Sequence, residues 1–107
     1  MLIGYSRVST PEQYLYMQED ALKRLGCEAV YSDVASGAKT ARPGLSKALS
    51  HLRKGDTLVV WKLDRLGRSL VHLIQTIQEL NDKQIGFRSL QENIDTNTSG
   101  GQLIFHI

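Results

Sequence analysis

Short apolar runs with β character alternate with amphipathic segments of helical period along this chain of 107 residues. The clearest run is 57–61, Thr-Leu-Val-Val-Trp, which is typical of a fully buried strand. Runs at 2–8, 28–31 and 85–90 add three more strands. Strands separated by helices of this length form right-handed βαβ units and a mostly parallel sheet. The sequence therefore predicts an α/β three-layer sandwich, with four to five strands in the central sheet and helices on both faces.

Capping residues set the expected ends of the helices. Thr10-Pro11-Glu12-Gln13 is a capping box with proline at the first helical position, and Gly26 is a C-terminal stop after Leu25. Pro43 opens a second helix that ends at Gly55, and Ser69 caps a third. Both carry an apolar stripe. Residues 33–42 have no period and are predicted to form a loop.

Length and charge set broad limits. A chain of 107 residues is long enough for one hydrophobic core and too short for two. The whole chain has 13 basic and 11 acidic residues, but residues 39–68 hold eight basic and two acidic ones, a local net charge of +6. Such a stretch suits a polyanion, and it is also what a solvated basic face without a partner would show.

Other classes of site find little support. The single cysteine, Cys27, excludes an internal disulfide and fits a reducing compartment. No apolar run approaches the roughly 18 to 20 residues of a membrane helix, so we expect a cytoplasmic protein without a membrane partner. His51, His72 and His106 have no zinc-site spacing, and no nucleotide-binding glycine motif occurs. We expect neither a metal nor a cofactor.

The first group of residues that could carry out chemistry lies at the end of the first strand. Arg7 and Ser9 are two residues apart, so the strand period puts both on one face. Because Pro11 opens the next helix, Ser9 also lies beside the unpaired N–H groups of a helix N-terminus, which favours a bound phosphate. A hydroxyl and a guanidinium beside one phosphate predict phosphoryl transfer.

A second constellation follows the strand at 57–61. Arg65 and Arg68 are three residues apart, so one helical turn brings both guanidiniums to one side, with Asp64 close by. Arg42 could add another guanidinium, whose planar N–H donors match phosphate oxygens. Since Ser9 and the segment 62–68 both follow strands of a parallel sheet, both are predicted at the same sheet edge.

Taken together, these blocks resemble a known family. The matching residues occur in order from one end of the chain to the other: Tyr5, Arg7-Val8-Ser9-Thr10, Gln13, Gln18, Ala35-Ser36-Gly37, Arg42-Pro43-Gly44-Leu45, Gly55-Asp56 and Lys62-Leu63-Asp64-Arg65-Leu66-Gly67-Arg68. The chain is similar to the catalytic domain of the serine recombinases, the resolvase and DNA-invertase group, and is closest to the invertase branch.

The resemblance implies site-specific DNA inversion or resolution without ATP or another cofactor. Ser9 would attack a DNA phosphodiester and form a covalent 5′-phosphoseryl intermediate, with Asp64 assisting at the leaving 3′ oxygen. The implied phosphate ligands are Arg7, Arg42, Arg65 and Arg68. The implied pocket residues are Tyr5, Gln13, Gln18 and Ser36. The implied partners are double-stranded DNA, further copies of the full-length protein in a homodimer and a synaptic tetramer, and an accessory DNA-bending protein.

The sequence departs from the family pattern in a few places. Ala41 stands where relatives often have an acidic residue, which would loosen the loop, and Ser6 replaces an apolar or small residue with little expected consequence. The apolar segment 102–107 stops where the family's long dimerisation helix begins, and no helix-turn-helix domain follows. We therefore expect residues 1–107 to be a truncated catalytic domain that folds but has little or no recombination activity.

Two other interpretations fit part of the pattern. A binding module without catalysis would use the same basic edge to hold nucleic acid phosphates or a phosphorylated partner. It predicts that Ser9→Ala leaves function intact, whereas Arg65→Ala weakens binding in a salt-dependent way. A phosphoacceptor domain of similar sheet order would need clustered acidic residues for magnesium. Instead, arginines follow the first and third strands.

Overall fold

The computed structural model describes residues 1–8, 12–34, 43–62 and 70–98. Within these ranges strands and helices alternate as predicted. The elements are β1 (Leu2–Val8), α1 (Glu12–Leu25), β2 (Ala29–Val34), α2 (Pro43–His51), β3 (Thr57–Val60), α3 (Leu70–Asp82), β4 (Gly86–Ser89) and β5 (Ile94–Asp95). Ser9, Thr10 and Pro11 lie outside the described residues, so the capping box before α1 stays a prediction.

The five strands form one sheet in the order β2-β1-β3-β4-β5. All neighbouring pairs are parallel except β4 with β5. The mostly parallel sheet is therefore confirmed. Strand β5 is an addition that apolar runs did not predict, because two residues give no period. Thr96, which follows β5, anchors this strand to β4, since Thr96 Oγ1 accepts a hydrogen bond of 2.8 Å from the Phe87 N–H.

Helices cover both faces of this sheet. Ile3 and Tyr5 of β1 belong to the main core cluster, which also contains residues of α2 and α3. Gly4 lies on the opposite face of β1, where it contacts Leu22 of α1. A Cβ at Gly4 would lie 3.1 Å from Leu22 Cδ1. The three-layer sandwich is confirmed, with α1 packed closely against β1 at Gly4.

Several element boundaries differ from the prediction, three of them where a strand or a helix ends. Asp33 and Val34 belong to β2 rather than to a loop, because β2 follows β1 in register as far as Val8. Helix α2 ends at His51, not at Gly55. A turn follows it, in which Asp56 N donates to Arg53 O over 2.9 Å. Strand β3 ends at Val60, one residue before Trp61.

The end of α1 follows the prediction. Gly26 has a φ of +109°, and its N–H donates to Lys23 O over 3.0 Å. Glycine adopts this left-handed backbone without steric cost, which is why it ends helices. Among the described helices, none combines the length and the apolar character that crossing a membrane requires.

Candidate active site

The carboxyl ends of β1 and β3 lie side by side at the centre of the sheet. Tyr5 of β1 is paired in register with Val60 of β3. The chain leaves β1 toward α1 and β2 on one side, whereas the connections through α2 and α3 run to the other side. Such a reversal of strand order opens a crevice beyond the strand ends, where α/β sheets bind ligands. The segments that follow β1 and β3 begin at this crevice.

Arg7 is the predicted phosphate ligand that the structure describes. It is the last but one residue of β1, is half-buried, and is paired in register with Asp33 of β2. It shares a sheet face with Tyr5, two residues earlier. This placement puts its guanidinium on the face covered by α2, at the carboxyl edge of the sheet.

Tyr5 is a fixed part of this edge. Its side chain is fully buried, and its hydroxyl donates a hydrogen bond of 2.8 Å to Asp33 Oδ2. A buried phenol needs such a partner, since an unpaired hydroxyl in the core costs about 1–3 kcal/mol. The ring of Tyr5 consequently has one position, between the core below it and the strand end above it.

Asp33 is a functional candidate that the sequence analysis missed. Its Oδ1 accepts the N–H of Gly44 over 2.8 Å, and its Oδ2 accepts the N–H of Leu45 over 3.0 Å. The carboxylate therefore caps the N-terminus of α2 while it also holds Tyr5. Because Arg42 immediately precedes α2 in the chain, Asp33 fixes the point from which the Arg42 segment departs. Its capping partners are 11 and 12 residues away, so no local motif marks it.

Gly44 allows this capping contact. A Cβ at this position would lie 2.4 Å from the backbone oxygen of Ser32, far inside van der Waals contact. Only glycine lets α2 approach β2 this closely. The Arg-Pro-Gly-Leu block of the sequence thus contains a steric requirement at its third residue.

Gln18 lies in α1, one turn before Leu22. Its side chain is 1% exposed, and its Oε1 has no hydrogen-bond partner among the described residues. A buried amide oxygen without a donor costs free energy, so a donor that reaches Gln18 Oε1 would be bound favourably. Gln13 lies in the first turn of α1, and its side chain is outside the description.

Glu19 and two serines link α1 to the same strands. Ser32 Oγ donates to Glu19 Oε1 over 3.0 Å, and the fully buried Ser6 lies 2.8 Å from Ser32 Oγ. Since the Ser32 proton is used for Glu19, Ser6 donates to Ser32. Ser6, a departure from the family pattern, thus has a structural role that its sequence position did not indicate.

Six predicted site residues lie outside the described part of the chain: Ser9, Ser36, Arg42, Asp64, Arg65 and Arg68. Their mutual geometry stays a prediction. In the ranges that are described, no group of three histidine, cysteine, aspartate or glutamate side chains could hold a metal ion.

Comparisons with known proteins agree with these features. The family model "Resolvase, N terminal domain" matches residues 2–107. The chain is 57% identical to a DNA-invertase of Enterobacteria phage P7 and 55% identical to the serine recombinase gin of Escherichia phage Mu, over all of its 107 residues in each case. It covers 58% and 55% of those two proteins, which is little more than half of their length.

A solved structure supports the same assignment. The N-terminal catalytic domain of TP901-1 integrase superposes with a TM-score of 0.82 at 30% sequence identity, over 98% of this chain and 88% of that one. With the sheet order, the crevice at β1 and β3, and a family match that spans residues 2–107, the chain belongs to the serine recombinases, as a resolvase N-terminal domain.

Proposed function

We propose that this chain is the catalytic domain of a site-specific DNA recombinase that carries out inversion or resolution. The observation that carries the proposal is the pairing of β1 with β3. It brings the chain that leads to Ser9 beside the chain that leads to the arginines of 62–68, at a sheet edge suited to a ligand. The DNA-invertase and serine recombinase relatives support the same activity.

The proposed reaction is a transesterification. Ser9 Oγ attacks the phosphorus of a DNA phosphodiester, and the bond from phosphorus to the 3′ oxygen breaks. The serine loses its proton, the 3′ oxygen gains one, and the 5′ phosphate stays attached to Ser9. The phosphodiester to Ser9 replaces the phosphodiester of the DNA, so the bond energy is kept. The reverse attack by a 3′-hydroxyl therefore reseals the DNA without ATP.

The proposed arginines stabilise this transition state. Attack places extra negative charge on the non-bridging oxygens, which the fixed cations Arg7, Arg42, Arg65 and Arg68 neutralise. Asp64 assists at the leaving 3′ oxygen. The pocket around them is proposed to comprise Tyr5, Gln13, Gln18 and Ser36, and an approaching arginine would supply a donor for the Gln18 amide oxygen.

The proposed substrate is double-stranded DNA, bound by a homodimer that pairs with a second dimer into a synaptic tetramer. In the parent protein, we propose that a dimerisation helix and a helix-turn-helix domain follow residues 1–107 and supply DNA sequence recognition. An accessory DNA-bending protein would assist synapsis.

The test is to trap the covalent intermediate. The full-length parent is incubated with a nicked duplex that carries its recombination site, so that cleavage cannot be reversed. We expect a denaturing gel to show protein–DNA adducts, and mass spectrometry to find the phosphate on the peptide that contains Ser9. Ser9→Ala should abolish the adduct, whereas the control Thr98→Ala, which removes an exposed hydroxyl, should not. Site-specific DNA binding with no adduct would overturn the proposal and leave a binding module.

A further inference from the structure

A shallow, open surface hollow of about 480 Å³ lies between the outer side of α2 and the edge strand β2. It is lined by Tyr31, Ser46, Lys47, Ser50 and His51. None of these five residues belongs to the serine recombinase motifs.

Four of the five lining residues are polar side chains of α2, and the Ser50 hydroxyl donates to Ser46 O over 2.9 Å. Ser46, Lys47, Ser50 and His51 stand at i, i+1, i+4 and i+5 of α2, so they share one side of the helix. The described lining residues include one ammonium, three hydroxyls and one imidazole, and no carboxylate. The nearest carboxylate along β2, that of Asp33, is occupied by α2 backbone N–H groups and by Tyr5. A lining with this composition favours an anion.

The imidazole is held in place by the tyrosine. Tyr31 Oη lies 2.9 Å from His51 Nδ1, and the two rings meet edge to face with centroids 5.9 Å apart. Tyr31 is itself packed against the hydrophobic core. When the phenol donates to Nδ1, the neutral ring carries its proton on Nε2. His51 is then a donor at Nε2, and little side-chain entropy is lost when it binds.

We propose that this hollow binds a phosphate group of the DNA backbone next to the scissile site. The inference rests on the proposed recombinase function. Lys47 is four residues beyond Pro43, a rise of about 6 Å along α2. Two base-pair steps of DNA span about 7 Å. A strand whose scissile phosphate is held by the segment that precedes α2 can therefore place a later phosphate against Lys47 and His51.

The first test uses inorganic phosphate as the probe. Phosphate is titrated into the isotope-labelled 107-residue chain at constant ionic strength, and amide NMR shifts are followed. We expect saturable shifts at Tyr31 and at 46–51, and binding about five-fold weaker in Lys47→Met. Lys83→Met, a matched exposed lysine outside the hollow, should leave the shifts unchanged. Absent or unsaturable shifts at these residues, or shifts that persist in Lys47→Met, would overturn the proposal.

The second test separates DNA from free phosphate. Binding of a duplex of arbitrary sequence is measured by fluorescence anisotropy over a range of salt concentrations. Removing one phosphate contact lowers the slope of log K against log salt by about 0.9. We expect that loss in Lys47→Met and an unchanged slope in Lys83→Met. A site that binds phosphate while the DNA slope stays unchanged would overturn the assignment to DNA. Neither phosphate binding nor the salt slope depends on catalysis by Ser9. Failure of the adduct experiment would therefore contradict the proposed recombinase function without deciding whether the hollow binds phosphate.

Discussion

At the scale of single residues, Asp33 connects the most elements. One carboxylate accepts the hydroxyl of Tyr5 from β1 and the first free N–H groups of α2, although it is only 7% exposed. Three donors compensate the cost of burying this charge. The residue joins β1, the strand that carries Arg7, to the first turn of α2.

This network predicts a graded loss of stability. Tyr5→Phe removes one hydrogen bond, and we expect the free energy of unfolding to fall by about 1 kcal/mol. Asp33→Asn removes the charge and leaves one acceptor for three donors, with an expected loss of about 2–3 kcal/mol. Urea denaturation measures both.

The double variant distinguishes a network from two separate effects. Because Tyr5 and Asp33 share one bond, their losses should add to less than the sum of the single variants. Strictly additive losses would contradict the contact. Asp20→Asn, at an exposed position of α1, is the control and should cost less than Asp33→Asn.

Cys27 gives a prediction that depends on pH. Burial raises the pKa of its thiol from the ordinary 9.0 to about 11, against a smaller lowering by the positive charge of Arg88. The thiolate is the reactive form, so at pH 8 the native chain should react with a disulfide reagent more slowly than the chain unfolded in urea. Equal rates would contradict the pKa shift.

The same shift sets the sign of a stability effect. Above pH 9 the unfolded thiol loses its proton before the folded one does, which favours the unfolded state. The contribution of Cys27 to stability is therefore complete below pH 9 and is lost as the pH rises toward 11. In Cys27→Ala, the free energy of unfolding should fall less steeply between pH 9 and pH 11 than in the unchanged chain.

At the scale of elements, the contact of α2 with β2 determines the geometry of the site edge. Helix α2 has three buried residues, Gly44, Leu45 and Ala48, and two of them are small. Small residues let the helix axis approach the sheet, and the Asp33 cap holds its first turn in place. The outer side of the same helix lines the hollow with Lys47 and His51.

Gly44→Ala tests this close approach. Alanine is better than glycine in a helix by about 1 kcal/mol, but its Cβ would collide with the Ser32 carbonyl. Overpacking of this kind costs about 1–3 kcal/mol, and displacement of α2 would also weaken the Asp33 cap. We expect a net loss in urea denaturation. Ser50→Ala, on the exposed side of α2, should have little effect.

At the scale of the whole molecule, the sheet order places the most stable strands at the site. Strands β1 and β3 are central, with neighbours on both sides, whereas β2 and β5 are the edges. Because both strands are central, they hold Arg7 and the end of β3 in a constant relation, which suits the phosphate-orienting site proposed above.

Hydrogen exchange tests this hierarchy. Since β1 and β3 are central and buried, we expect their amides to open only with global unfolding and to exchange most slowly at Gly4, Tyr5 and Val59. The two-residue β5 should exchange faster by orders of magnitude, because it has one neighbouring strand. NMR exchange rates measure the ratio. Equal protection of β5 and β3 would mean that the sheet opens as a single unit.

The sequence by itself determined the alternation of elements, the mostly parallel sheet, the three layers and the family. These follow from apolar periods and from motifs, which are local in the chain. It also indicated Arg7, Tyr5 and Gln18 as site residues, although their roles stay predictions.

Only the tertiary structure decided the strand order, the capping role of Asp33, the link from Ser6 through Ser32 to Glu19, and the hollow beside His51. Each depends on groups that are far apart in the chain, such as Tyr5 and Asp33, which are 28 positions apart. Hydrogen bonds over such separations leave no period and no spacing rule, because the fold and not the chain sets the distance between their partners.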